Sequence, residues 1–349
     1  MIGIFAPYQR GEVTAAALRL ADFAMAQGYD VRLGTTGSID KNVHPFWDNN
    51  SRSVKSVKGD KVYTWAKGCE KIIWFDYNSK IQHKARLTAE RAKFFWVPMW
   101  HRMSMEEPPN LDDFFRIVGP TAGHLGTLSK AFPGFEREKA TWCFWDSGIT
   151  PIVRVFDGKI PRFYIPMDKR AVDETSLFTL RLVEELMLTS PRCLVTLDSD
   201  KTWPRRARKE LKRLVNRWPG RLRLCLRTSL VDQIQHFHRH DWTFLPAVRS
   251  DLGITAMRSL ACGTPVITYD VAPFSDLIRD GHRGLLIATD KTTNWAGAPI
   301  AVPSFGNTLN VLTHASSPEV MQHCTSQDWK LPRHQEQFER FWKAQFEVD

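Results

Sequence analysis

Short apolar runs that alternate with stretches of helical spacing are the strongest constraint in this chain, and the alternation continues along almost its whole length. Ile2–Ala6 reads as a buried strand. Pro7-Tyr-Gln-Arg-Gly11 breaks it, and Glu12 opens a helix with an acid in its first turn. Val13, Ala17, Leu20, Ala21 and Ala24 then recur at intervals of three and four, Gly28 closes the helix and Tyr29–Leu33 starts the next strand. Strands at Lys71–Phe75, Phe94–Pro98, Arg116–Val118 and Trp142–Trp145 follow, while 41–68 is polar and irregular and carries no clear element. A second series has strands at Arg162–Ile165, Cys193–Leu197, Leu222–Leu226, Trp242–Pro246 and Pro265–Tyr269. Its helices are Thr175–Leu188, Arg205–Trp218, Leu230–His238 and Ile254–Ala261. Strand–helix alternation predicts parallel, doubly wound sheets.

The chain has 349 residues, long enough for two domains. The expected division is 1–155, 156–330 and a terminal segment 331–349, whose helix Gln335–Phe346 could fold back across the domains. No apolar run approaches the ~18 residues of a membrane span. The N-terminus has no basic leader, and the six cysteines form no C-x-x-C pair. These features predict a cytoplasmic protein with free thiols. Parallel α/β domains bind ligands beyond the C-terminal ends of their strands. The informative loops are therefore Pro7–Gly11, Met99–Arg102, Met167–Arg170, Asp198–Thr202, Ala247–Gly253 and Asp270–Ser275.

The segment from Trp242 to Leu286 carries the densest motif. A strand ends at Pro246, and a polar loop runs through Ser250 and Asp251 to Gly253, where a helix begins. Ala261-Cys-Gly263-Thr-Pro265-Val-Ile and Asp280-Gly-His-Arg-Gly284 follow. This pattern resembles the donor-binding half of retaining GT-B glycosyltransferases of the group 1 type. The resemblance implies two Rossmann-like domains facing a central cleft, a nucleotide-sugar donor (UDP-linked in this reading), retained anomeric configuration and no required metal or other cofactor. It places Gly11, Lys169 or Arg170, Ser250, Gly253, Ile254 and Arg258 around the donor. His101 and Asp251 would orient the sugar. A helix start at Gly253 suits a diphosphate, because free backbone N–H groups point outward there and glycine lets a ligand approach closely. The family usually has glutamates at the places held here by Ser250 and Arg258. An arginine cannot accept hydrogen bonds from ribose hydroxyls, so the ribose is held differently or the donor is unusual.

Two other patterns invite metal readings. Asp198-Ser-Asp200 follows a strand, but two carboxylates under-fill a hard-cation site. His236 and His240 share a helix face without a third ligand in sight, and read better as a polar helix end. Charge is more informative. Between Lys201 and Arg227 lie eleven basic residues and one acid, Glu210, an excess equal to the +10 of the whole chain. Ala207, Leu211, Leu214, Val215 and Trp218 form that helix's apolar stripe, so Arg205, Arg206, Arg208, Lys209, Lys212 and Arg213 must lie on its outer faces. A surface of one sign predicts a polyanionic partner. Phage enzymes that glycosylate hydroxymethylated pyrimidines in DNA are GT-B proteins of similar size. The resulting expectation is a DNA acceptor, with Trp47, Trp65, Trp96 and Trp100 as candidate stacking partners. The alternatives are a polysaccharide or glycolipid acceptor at an anionic membrane surface, and a scaffold that only binds nucleic acid.

Overall fold

The computed structural model describes residues 1–6, 12–36, 54–56, 61–75, 79–99, 110–132, 134–149, 160–167, 169–199, 203–226, 230–250, 252–293, 299–326 and 332–348. The chain forms two compact units. One comprises 1–148, 293–298 and 333–349, the other 149–292 and 299–332. Among the described residues no helix is long and apolar enough to cross a membrane.

The first unit is built on a parallel seven-stranded sheet. Its strands are β1 (Ile2–Phe5), β2 (Val31–Thr35), β3 (Val54–Ser56), β4 (Lys71–Phe75), β5 (Lys93–Val97), β6 (Arg116–Gly119) and β7 (Ala140–Trp142), in the order β3-β2-β1-β4-β5-β6-β7. The 41–68 region, which carried no clear element in the sequence, contributes β3 and helix α2 (Lys61–Ala66). The strand expected at Trp142–Trp145 instead ends at Trp142. One sheet face packs Phe5, Trp74, Trp96 and Ile117 against Trp65, Ala85 and Leu128. Gly34 leaves room for the Trp65 ring, since a Cβ there would lie 2.5 Å from it. Trp65 and Trp96 are therefore core residues at 1% and 0% exposure, not stacking platforms for bases. Trp47 and Trp100 fall outside the described residues.

On the opposite face lie helix α1 (Glu12–Ala26) and the C-terminal helix Pro332–Glu347. Right-handed crossovers from β4 onward put helices α3 (Ser79–Thr88) and α4 (Ala122–Ala131) on the first face, which leaves the second under-covered. The C-terminal helix covers it with Phe338, Trp342 and Phe346, all buried. Trp342 packs on Phe95 and Trp145, and Phe338 on Phe23. Two polar contacts secure the arrangement. Arg19 on α1 bonds Asp146 at 2.5 Å and approaches Glu339 at 3.5 Å, and Lys71 Nζ donates to the Phe346 carbonyl at 2.7 Å. That carbonyl lies in the last turn of the helix, where a cation is favoured.

The second unit has a parallel six-stranded sheet, β8 (Arg162–Ile165), β9 (Leu194–Ser199), β10 (Leu222–Leu226), β11 (Trp242–Leu245), β12 (Val266–Tyr269) and β13 (Gly284–Ile287), ordered β10-β9-β8-β11-β12-β13. Helices α5 (Lys169–Thr189) and α6 (Arg205–Arg217) pack on each other, as do α7 (Leu230–Arg239) and α8 (Ile254–Ala261). The two pairs occupy opposite faces, because the strand order runs outward in opposite directions from β8 and β11. At the base of these strands Arg162 clasps the buried Asp241 carboxylate in a fork of 3.0 and 3.1 Å, and its backbone N–H adds a bond of 2.9 Å. Buried hydroxyls are also satisfied: Ser259 donates to Thr264 O at 2.8 Å and sits 2.7 Å from Thr243 Oγ1. A ribbon of Asp290–Thr293 and Pro299–Val302 follows β13, which the sequence reading did not identify.

Candidate functional site

In the second sheet β8 and β11 are neighbours, and the chain leaves them toward opposite faces. That is the switch point of a doubly wound sheet, where a crevice opens beyond the strand ends. Helix α5 starts at Lys169 after β8, and α8 starts at Ile254 after β11. Two helix N-termini, each with outward-facing N–H groups and a positive dipole end, therefore flank one crevice. Thr175 on α5 donates to the Pro246 carbonyl at 3.4 Å, and Ala301 of the ribbon donates to Val248 O at 2.9 Å. The loop after β11 is thus held on both sides.

Gly253 caps α8 in the left-handed conformation (φ 69°, ψ 19°), with no side-chain capping bond. The Gly253 N–H is taken by Ser250 Oγ at 3.1 Å, so Ser250 shapes the loop. The reason for glycine differs from the sequence expectation. A Cβ at 253 would collide with Leu277 Cδ1 and approach Pro273 Cγ at 3.3 Å. The space is filled by the short helix Phe274–Leu277 and is not open to a ligand. Arg258 lies half-buried on α8, one turn before Cys262. Lys169 and Arg170 are the first two residues of α5 and do not form a loop pair. Gly11, His101 and Asp251 lie outside the described residues.

The remaining motif glycines have local structural causes. Gly263 (φ 73°) turns the chain from α8 toward β12. In Asp280-Gly-His-Arg-Gly284, Asp280 accepts the Leu286 N–H at 2.8 Å, and Gly281 (φ 72°) donates to Gly284 O at 2.9 Å. A Cβ on Gly284 would collide with the Val266 backbone, on the strand paired beside it.

The described members of both metal-like patterns have partners within the protein. Asp198 is 2% exposed and accepts from Tyr164 Oη and Cys225 Sγ, both at 2.9 Å. Asp200 lies outside the described residues. His236 stacks on Tyr164 at 5.0 Å, and His240 is tied to His236 O at 2.6 Å and Thr196 Oγ1 at 2.8 Å. Half-buried His236 and buried His240 lie against Tyr164 of the sheet, at the basic end of helix α7. No cluster of three or more potential metal ligands occurs among the described residues. All six cysteines are free. Burial raises the thiols of Cys262 and Cys324, to about 12 and about 11.

Helix α6 buries Ala207, Leu211 and Leu214 and leaves Arg205, Arg206, Arg208, Lys209, Lys212 and Arg213 exposed. The sequence did not reveal how its charge divides. Arg213 binds Glu210 at 2.6 Å and Glu184 of α5 at 2.7 Å, while Arg217 binds Glu184 at 2.6 Å. Hydrogen bonds from Arg213 hold the Glu210 carboxyl below its usual range. The start of the helix has cations, no acid in its first turn and no side-chain cap. Each cation there opposes the macrodipole by ~0.3–1 kcal/mol. Glu184 was legible only as an acid on a neighbouring amphipathic helix.

Residues 201–302 match the family described as Glycosyl transferases group 1. A 62-residue stretch is 37% identical to a D-inositol 3-phosphate glycosyltransferase of Rhodococcus erythropolis, spanning 18% of this chain and 14% of that protein. The fold is similar to an Anabaena protein crystallised with UDP and glucose (TM-score 0.68, 12% identity, 99% of each chain). It is similar, too, to a Listeria monocytogenes protein described as a putative UDP-N-acetylglucosamine 2-epimerase (TM-score 0.66, 12% identity, 100% of this chain and 97% of the other). Fold alone therefore spans more than one chemistry, and the sequence match narrows it. The chain has the GT-B fold of two parallel-sheet Rossmann-like units, and residues 201–302 of it match the group 1 glycosyltransferase family.

Proposed function

We propose that this protein is a glycosyltransferase that uses a nucleotide-sugar donor, UDP-linked in the first instance, with the diphosphate at the β8/β11 crevice. The observation that carries the reading is the pair of helix starts, α5 at Lys169 and α8 at the Gly253 cap, on either side of one switch point. The bond from the sugar's anomeric carbon to the diphosphate breaks, and the electron pair leaves with the diphosphate. Fixed N–H dipoles and Lys169 or Arg170 stabilise that developing charge. The acceptor hydroxyl oxygen forms the new bond, and its proton is released with the nucleotide. By the family resemblance Gly11, His101 and Asp251 are the further candidates for donor and sugar contacts, and the anomeric configuration is retained. Ser250 fixes the loop, and Arg258 stands where an acceptor for the ribose hydroxyls is expected.

The acceptor in this reading is a hydroxymethylated pyrimidine in duplex DNA. The excess of cations on α6, seven against the one acid Glu210, supports it. The test is incubation with duplexes containing 5-hydroxymethylcytosine, 5-hydroxymethyluracil or only normal bases, each with a panel of nucleotide sugars, followed by mass measurement of the digested nucleosides. A sugar-sized gain confined to a hydroxymethylated base is the expected result. UDP binding without any gain on DNA would refute the acceptor and turn the search to glycans or glycolipids. DNA binding without UDP binding would refute the transferase reading itself.

A further inference from the structure

We infer that the outer stripe of α6 (Arg205, Arg208, Lys209 and Lys212) is a docking surface for the phosphate backbone of a nucleic-acid duplex, separate from the crevice where transfer occurs. The inference rests on the DNA-acceptor reading above and specifies which half of the charged helix serves it. At 100° per residue, Ala207, Leu211 and Leu214 face the protein, and Arg205, Lys209, Lys212 and Asn216 point directly away from it. Arg208 borders this stripe on one side. Arg206, Glu210, Arg213 and Arg217 form the other border, toward α5, where Glu184 and Glu210 pair with Arg213 and Arg217. None of the four stripe cations has an ion-pair partner among the described residues. They extend over ~10 Å of helix axis.

The stripe is also at the end of the helix where backbone dipoles are already positive, so an anion gains from both. The position is informative. Helix α6 follows β9, so its basic start is at the same C-terminal edge of the sheet as the crevice, while β10 and β9 lie outside β8 in the strand order. The surface is beside the switch point and not in it, as suits a contact that positions a long substrate without reading its bases. A membrane fits less well. The apolar face of α6 is turned inward, and none of the large exposed apolar side chains lies on the helix, so nothing is available to insert between lipids.

The test measures duplex DNA of normal sequence binding by fluorescence anisotropy between about 50 and 200 mM salt. Four phosphate contacts give a slope of log K against log salt near −3.6, or about 12-fold weaker binding per doubling of salt. The variant Arg205→Glu/Arg208→Glu/Lys209→Glu/Lys212→Glu is expected to lose the slope and most of the affinity. Glu184→Gln releases Arg217, while Arg213 keeps Glu210, and is expected to steepen the slope by about one unit, a gain that misfolding cannot produce. An unchanged slope in the fourfold variant would overturn the inference. So would sedimentation of the protein with phosphatidylserine vesicles without duplex binding, which would assign the surface to a membrane. UDP calorimetry on the unaltered chain, run alongside, reads the donor proposal independently.

Discussion

Replacing Gly253 with alanine tests how the candidate donor site is built. Two costs follow from the geometry. A non-glycine residue in the left-handed region loses ~1–2 kcal/mol. The new methyl also collides with Leu277 Cδ1 and crowds Pro273 at 3.3 Å, and overpacking of this kind costs ~1–3 kcal/mol. Together they destabilise the unit by roughly 2–5 kcal/mol. Leu277 is 3% exposed, so Leu277→Ala alone should cost ~2–5 kcal/mol through the cavity it leaves. In the double variant the methyl fills part of that cavity, and the clash term disappears while the backbone term stays. The double variant should therefore be more stable than the sum of the single effects by about 1–3 kcal/mol. Equilibrium urea unfolding supplies the four free energies. UDP calorimetry on the same proteins should show weaker binding in Gly253→Ala and partial recovery in the double variant, because the start of α8 is displaced only when both bulky groups are present. Additive stabilities would refute the packing explanation. Unchanged UDP affinity in Gly253→Ala would refute the placement of the donor at this helix end.

Three other outcomes are expected. Trp342→Ala removes a fully buried indole that joins the C-terminal helix to Phe95 and Trp145. It should cost ~3–5 kcal/mol, and protection of amide exchange should fall first in 332–347. Arg162→Ala leaves the Asp241 carboxylate buried without its guanidinium and should lower stability by ~3 kcal/mol, whereas Lys343→Ala, an exposed pair at 4.0 Å, should change the melting curve little. Cys262 is neutral in the fold, with its thiol raised from 9.0 to about 12. Its contribution is complete below pH 9 and is lost as the pH rises toward about 12, because the unfolded thiol ionises first. Cys262→Ala should therefore flatten the alkaline decline in urea midpoint. A thiol reagent should label Cys262 only after unfolding.

The sequence alone was sufficient wherever the deciding interaction is local. The strands Arg162–Ile165 and Leu222–Leu226 and the helix Ile254–Ala261 match their sequence limits residue for residue. Apolar spacing, a helix-starting glycine and the Gly263-Thr-Pro265 turn are properties of neighbouring residues. The same locality made the switch-point loop after Pro246 and the one-signed helix α6 legible. Questions of partnership were not decided at that level. Gly253 is explained by Leu277, twenty-four residues on, which occupies the space that the motif alone left for a ligand. Asp198 accepts from Tyr164 and Cys225 across two strand pairings, so a metal-like pattern became an internal hydrogen-bonded carboxylate. Trp65 and Trp96 were drawn into the core by a sheet face that their own surroundings do not specify. Glu184 approaches α6 only because α5 and α6 pack on one face, and that contact divides the seven cations of α6 into a partly paired border and an open stripe. Periodicity and backbone preference operate over one or two turns of chain. Neutralisation, close approach and burial depend on residues brought together by strand order and crossover handedness, which only the tertiary structure supplies.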